Sequence, residues 1–173
     1  MQLDNSVMTL ISKTVLRSAI AAVEAMDMRQ REQLADAIHT RQPSLLASVL
    51  AQRHFGANLE QLEVLLNILL VCYEAMQAIG REWPIISEEI QERCLGRVTG
   101  RMGFIEGLAS AQVTKAMAAT VTDKNEQWLM AFVFGELGAH DLLSIETEPQ
   151  KYLVLAALNL VECIAEAGVL AGY

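Results

Sequence analysis

The apolar residues of this chain recur at intervals of three and four positions, as in the series Val15, Ala19, Ala22 and Met26. Such spacing places apolar side chains on one face of an α-helix, whereas a half-buried strand alternates apolar and polar residues. No hairpin dipeptide separates two alternating segments. The sequence therefore predicts an all-α fold, a single-domain helical bundle of six to eight helices covering residues 1–173.

Capping residues give the predicted helix boundaries. Three pairs have the spacing at which a side chain satisfies a backbone N–H of the first helical turn: Asp27 with Gln30, Asn58 with Gln61, and Asp123 with Glu126. Gly56 and Gly80 are typical helix ends. The helices are predicted at about 5–26, 28–40, 43–54, 59–79, 86–120 with a bend near 107–110, 124–136 and 148–167.

Two of these helices, at 59–79 and 148–167, are almost entirely apolar and are predicted to be central. Their polar residues fall in narrow strips: Glu60, Glu63, Asn67 and Glu74 on the first, and Asn159, Glu162 and Glu166 on the second. If the helices face each other, four of these carboxylates (Glu63, Glu74, Glu162, Glu166) and both asparagines would meet in one polar seam. Paired carboxylates could perform acid–base chemistry. Strips facing solvent are the alternative.

The helix beginning near residue 86 carries two different stripes. Glycines recur as Gly96, Gly100, Gly103 and Gly107, and roughly opposite them lie Leu95, Val98, Met102, Ile105 and Ala109. Each glycine costs about 1 kcal/mol relative to alanine inside a helix. We expect a close contact to offset this cost, because bare backbone lets a second helix approach. Three contacts fit the stripe: a helix of the same monomer, a second copy of the chain in a homodimer, or a flat ligand.

A row of arginines, Arg93, Arg97 and Arg101, follows one flank of the glycine stripe at intervals of four residues. Guanidinium groups beside open backbone are suited to an anionic ligand, because they bind carboxylates and phosphates through paired hydrogen bonds. Glu89 lies four residues before Arg93, so an ion-paired helix face explains the same pattern.

Metal and thiol chemistry have weaker support in the sequence. Glu136, His140 and Asp141 are metal-ligating residue types, with the first two at helical spacing, but no further motif completes a ligand set. We therefore predict no metal and no cofactor. Three widely spaced cysteines without a CxxC motif are typical of reduced thiols in a cytoplasmic protein.

Hydrophobic residues make up 53% of the chain and its mean hydropathy is +0.28, which raises the question of a membrane protein. The longest apolar stretches, at 64–73 and 152–161, are shorter than a membrane span and lie next to glutamates. The first residues lack a basic segment followed by an apolar core, so no signal peptide is expected. The sequence predicts a soluble protein without a membrane partner.

The net charge of −8 is unevenly distributed along the chain. Residues 1–57 carry six Lys and Arg against five Asp and Glu, whereas residues 58–173 carry seven against sixteen. Nucleic-acid binding is disfavoured, because phosphate affinity comes mainly from basic side chains. Residues 31–50 faintly resemble a helix-turn-helix, which keeps DNA binding as one alternative.

The absence of a catalytic motif, the apolar excess and the glycine stripe together favour a non-enzymatic association protein. We predict a homodimer that acts as an adaptor, a chaperone-like protein or a regulatory partner. Three alternatives stay open: a helical bundle that encloses a small apolar or anionic ligand with the arginine row at its mouth, an enzyme that uses the carboxylate strips, and a helix-turn-helix DNA binder.

Overall fold

The computed structural model describes residues 9–105 and 126–171, with the side chains of 102–105 left aside. Within these ranges the chain consists of α-helices, a 3-10 helix (Ala51–Arg53) and the turns between them, so the predicted all-α bundle is confirmed. The helices are α1 (Lys13–Glu24), α2 (Met28–Arg41), α3 (Pro43–Leu50), α4 (Leu59–Ala78), α5 (Glu88–Ile105), α6 (Gln127–Ala139) and α7 (Glu148–Leu170). The predicted bend near 107–110 and the helix continuing to 120 lie outside the described residues.

Helix starts follow the capping signals closely. Asp27 and Asn58 each accept a hydrogen bond from the backbone N–H three residues later, at 2.8 Å. The side-chain oxygen of the glutamine at that position accepts a hydrogen bond from the backbone N–H of the cap residue. Thr147 forms the same reciprocal arrangement at the start of α7. Gly56 and Gly80 follow their helices with φ of +98° and +70°, a conformation that glycine adopts at little cost.

Two predicted helix starts are wrong. Helix α1 begins at Lys13, capped by Ser12, and the preceding residues 9–12 are not helical. Helix α6 begins at Gln127, and Glu126 stands at its N-cap position without capping it. The Glu126 carboxylate instead accepts hydrogen bonds from the backbone N–H groups of Leu10 (2.9 Å) and Ile11 (3.2 Å). A tertiary contact thus fixes both boundaries.

Helices α4 and α7 form the centre of the core, as predicted. Leu69 on α4 and Ile164 on α7 are fully buried; α4 packs against α1, α3, α6 and α7, and α7 also packs against α5. By length and composition alone α7 could cross a membrane, which the sequence prediction missed. However, 72% of its most apolar 18-residue window is buried inside the protein, as in the core helix of a globular domain.

The connection between α4 and α5 is held by a buried glutamine from another part of the chain. Gln42 joins α2 to α3, and its side-chain amide donates to the carbonyl of Pro84 and accepts from the N–H of Ile86, both at 2.9 Å.

Helices α2 and α3 are separated by the single residue Gln42, because α2 ends at Arg41 and α3 begins at Pro43. A helix-turn-helix needs a turn of about three to four residues, so this pair lacks the geometry of that DNA-binding motif.

Candidate functional site

Helix α5 presents an outward face that no described part of the chain covers. Cys94 and Val98 are buried against the rest of the protein, whereas Gly96 and Gly100 are exposed. A Cβ atom built at either glycine would meet nothing within 4 Å. Packing of the stripe against the described part of the monomer is thus absent at these two positions. The contacts of Gly103 and the whole of Gly107 lie outside the part of the chain that the structure describes.

In the opposite, apolar stripe, the side chains of Leu95 and Val98 are described, whereas those of Met102 and Ile105 and all of Ala109 lie outside the described part of the chain. Val98 is 2% exposed, but Leu95 is 38% exposed and lies on the outward side. The described contact surface of α5 is formed by Cys94 and Val98, with half-buried Ile90 and Gln91 nearby. Val98 of the predicted apolar row therefore faces inward, whereas Leu95 does not, and its neighbour Cys94 is buried in its place.

The arginine row lies along α7 and is ion-paired with it. Arg93 contacts Glu166 at 2.8 Å, Arg97 lies 3.4 Å from Glu166 and 3.8 Å from Glu162, and Arg101 contacts Glu162 at 2.5 Å. The row is thus an ion-paired face, but its partners are carboxylates of α7 and not Glu89. An external anion would have to compete with two carboxylates already in place.

Two thiols lie beneath this ion-pair network. The Cys94 thiol donates a hydrogen bond to Glu166 Oε2 at 2.8 Å, and Arg97 Nη2 donates to Cys94 Sγ at 3.3 Å. Burial, followed by the hydrogen bond to Glu166, raises the pKa of Cys94 to about 11. Burial likewise raises the pKa of its neighbour Cys163, on α7. Both groups are neutral thiols near pH 7.

Glu166 is ionised in the same network. Burial opposes the charge of this carboxylate, but hydrogen bonds from Cys94 and Arg93 outweigh that effect and lower its pKa below the ordinary value. Arginines therefore balance the negative charge of Glu166, and this carboxylate does not have the raised pKa of a catalytic base. This arrangement is typical of a structural ion pair, although pKa shifts also accompany catalytic sites.

The two carboxylate strips do not meet. On α7, Asn159 donates to the backbone carbonyl of Gln91 at 3.1 Å, in the same interface as the ion pairs. On α4, Asn67 accepts from Arg31 at 3.4 Å, and both residues line a separate groove with Glu63. The single polar seam proposed from the sequence is therefore replaced by two polar regions.

The groove has a volume of about 590 Å³ and brings α2, α4, α6 and the loop before α7 together. Its ionisable lining consists of Arg31, Glu60, Glu63, Glu136, His140 and Asp141, together with several amide side chains. His140 Nε2 lies 3.9 Å from Glu136 Oε2, and Asp141 has a positive φ of 56°. Carboxylates outnumber basic groups here, so the groove favours a cationic occupant.

The metal candidates Glu136, His140 and Asp141 all line this groove, together with carboxylates of α4 that sequence reasoning assigned elsewhere. Within ranges 9–105 and 126–171, no three His, Cys, Asp or Glu side chains are grouped so as to hold a metal ion. The groove presents ionisable and amide side chains, such as Glu63 and Gln61, to a ligand.

Comparison of the chain with protein-family models, with curated proteins and with solved structures finds no match. The function must accordingly be inferred from the geometry.

Sequence reasoning missed the pairing of the arginine row with Glu162 and Glu166. The signal was present, because residues at four-residue spacing on two different helices carry opposite charges.

Proposed function

We propose that the protein is a cytoplasmic homodimer whose subunits associate through the α5 outer face, formed by the exposed residues Glu92, Leu95, Gly96, Thr99 and Gly100. The observation that carries the proposal is the open space at the two glycines. Three free thiols support a reducing compartment. Association, as an adaptor or regulatory partner, is then the protein's work.

The energetic argument follows from the cost of the glycines. Gly96 and Gly100 together destabilise α5 by about 2 kcal/mol relative to alanine. Within the described residues no side chain packs against them to offset that cost. A second α5 crossing at these positions could approach closely over the bare backbone, and partly exposed Leu95 would add apolar contact at the edge. A two-fold axis would present the same face on both subunits.

A second apolar surface supports association over catalysis. Phe55 and Tyr152 are 54% and 40% exposed, and their ring centroids lie 5.6 Å apart. Exposed aromatic side chains that contact each other are typical of protein interaction surfaces. They lie between the turn after α3 and the start of α7 and do not belong to the α5 outer face.

Substitution of Gly100 by leucine tests the proposed interface. We expect Gly100→Leu to be monomeric by native mass spectrometry and light scattering where the parent protein is dimeric. The unfolding free energy of the variant subunit should equal or slightly exceed that of a single parent subunit, because the space around Gly100 is open in the single chain. A leucine between two closely crossing helices would force their axes apart.

Gly135→Leu on α6 is the matched control, since Gly135 is also helical and exposed, and a Cβ atom added to it would meet nothing within 4 Å. This variant should stay dimeric. A monomeric parent protein at micromolar concentration, or a Gly100→Leu dimer of unchanged affinity, would contradict the proposal. A Gly100→Leu chain that unfolds would show instead that the glycine is covered within the subunit.

We also propose, as a second candidate function, that the groove of about 590 Å³ binds a small polycationic ligand. Its size suits a small molecule. Four carboxylates face two basic groups, and Arg31 is already engaged with Asn67 and the carbonyl of Val23. This reverses the ligand class expected from the arginine row, because the row is occupied by the chain's own glutamates.

Calorimetric titration with spermidine tests this second function, with citrate as the anionic comparison. We expect spermidine to bind, citrate not to bind, and Glu63→Gln to weaken spermidine affinity roughly tenfold through loss of a charged hydrogen-bond acceptor. Glu89→Gln, an exposed substitution on α5, should leave the affinity unchanged. Equal weakening by both substitutions would show only nonspecific attraction to an acidic protein, and the proposal would fail.

A further inference from the structure

Helix α5 has a small buried surface and one close neighbour. Among the described helices, α7 is the one against which α5 packs closely. Of the side chains of α5 that the structure describes, Cys94 and Val98 are buried, whereas α4 buries nine. We propose that α5 is a salt-sensitive arm, which leaves α7 as a unit while the core around α4 stays folded. This inference depends neither on dimer formation nor on the groove.

Charged contacts hold α5 on α7. Glu166 lies 2.8 Å from Arg93 and 3.4 Å from Arg97. Glu162 pairs with Arg97 and with Arg101. The three arginine side chains are 34–52% exposed, so dissolved ions reach them. Salt screens such pairs but leaves buried apolar contacts in place. The docking of α5 should therefore depend on ionic strength, whereas the packing of the core should not.

The uncharged part of the contact is polar as well. Asn159 on α7 donates to the backbone carbonyl of Gln91 on α5 at 3.1 Å. Asn159 Oδ1 and Gln91 Nε2 are buried, and neither has a hydrogen-bond partner among the described residues. A buried polar atom without a partner is destabilising, because water would satisfy it. Departure of α5 returns these atoms, and the carboxylates of α7, to water, which favours the open state.

A fixed point lies directly before α5. Ile86 is fully buried, and its N–H donates to the side chain of Gln42 at 2.9 Å. Ser87 follows, and its hydroxyl accepts a hydrogen bond from the N–H of Ile90 at 3.3 Å. The segment 84–86 can thus stay attached to the core while α5 moves away from α7.

Labelling of buried thiols in the native, full-length protein tests the proposal. Cys94 is 0% exposed on the α7 side of α5, so N-ethylmaleimide reaches it when α5 leaves α7. Cys72, which is equally buried on α4, reports unfolding of the core. Labelling is followed at constant pH through the tryptic peptides 94–97 and 54–81, relative to the denatured chain at the same salt concentration.

We expect Cys94 to be labelled faster than Cys72. Between about 0.05 M and about 1 M potassium chloride, the rate at Cys94 should rise about fivefold, and the rate at Cys72 should not rise. Equal rates at the two thiols would show that Cys94 is reached through global unfolding. A rate at Cys94 that does not change with salt would show that ion pairs do not hold α5. Either result overturns the proposal.

Arg101→Gln removes an ion pair without changing a hydrogen-bond partner of Cys94. At low salt this variant should be labelled about fivefold faster at Cys94, because Glu162 is largely buried and loses a charged partner. Arg101→Lys keeps the charge and should be labelled at about the parent rate. Arg17→Gln, at an exposed position on α1, is the matched control and should change nothing. Equal acceleration by Arg101→Gln and Arg17→Gln would contradict a specific contact with α7.

Discussion

The protein should lose stability as the pH rises from about 4.5 to about 7, because Glu126 binds its proton more tightly in the folded chain. Burial raises the pKa of this carboxyl from 4.5 to about 7, although hydrogen bonds from the N–H groups of Leu10 and Ile11 act in the opposite direction. Unfolding between these pH values releases a proton. The contribution is therefore fully present below about pH 4.5 and is lost as the pH passes about 7.

The size of the effect follows from the difference between the two pKa values. One pKa unit corresponds to about 1.4 kcal/mol, so the contribution of Glu126 amounts to at most roughly 3–4 kcal/mol. Glu126 is 1% exposed, so solvent screening is small. Cys72 on α4 interacts electrostatically with Glu126, and burial raises the pKa of this thiol to about 12, so it stays neutral across the same pH interval.

Urea unfolding of the parent protein and of Glu126→Gln, at intervals from about pH 4.5 to about pH 8, measures this contribution. The difference in unfolding free energy should change by at most roughly 3–4 kcal/mol in favour of the variant as the pH rises, and then level off. Glu60→Gln, at an exposed position on α4, should show no such change. A difference that moves in the opposite direction would mean that the two N–H groups outweigh burial.

The sequence predicted the helices well where the information is local. Asp27 and Asn58 cap their helices because the N–H groups that they satisfy are three residues away, and that spacing is visible in the sequence itself. The apolar surfaces of α4 and α7 are so wide that any packing arrangement would place these helices in the centre. Fold class and core therefore followed from pattern alone.

Features that depend on long-range contacts were not predicted. Glu126 has capping-box spacing with Asp123, yet its side chain is used to hold residues 10 and 11, which lie 115 positions or more away in sequence. Likewise, Arg101 and Glu162 are 61 positions apart, and their pairing depends on how α5 crosses α7. Periodicity gives the face of each helix but not the identity of its neighbour.

The outward direction of the glycine stripe also could not be predicted from periodicity alone. Four glycines indicated that a helix could be approached closely, but the stripe does not specify whether the approaching partner belongs to the same chain. Among the described residues, nothing packs against Gly96 or Gly100. We therefore favour the α5 outer face as an interface over an internal helix contact. The Gly100→Leu substitution distinguishes these two alternatives.

Replacement of Gln42 by alanine should destabilise the protein by about 3 kcal/mol. Gln42 is 2% exposed, and Ile86, whose N–H it accepts, is fully buried. The alanine variant would leave this N–H and the carbonyl of Pro84 without their partner, and each buried unsatisfied group costs roughly 1–3 kcal/mol. Since the segment 84–86 leads into α5, its loosening should also increase hydrogen exchange at the start of that helix.

Gln52→Ala provides the comparison that separates hydrogen bonding from loss of volume. Gln52 is 9% exposed, but its Oε1 has no hydrogen-bond partner among the described residues and its Nε2 reaches the carbonyl of Ser48 only at 3.5 Å. The same deletion at this position should therefore cost about 1 kcal/mol or less. Equal losses for the two variants in urea unfolding would show that the side-chain volume of Gln42, and not its two hydrogen bonds, holds the connection to α5.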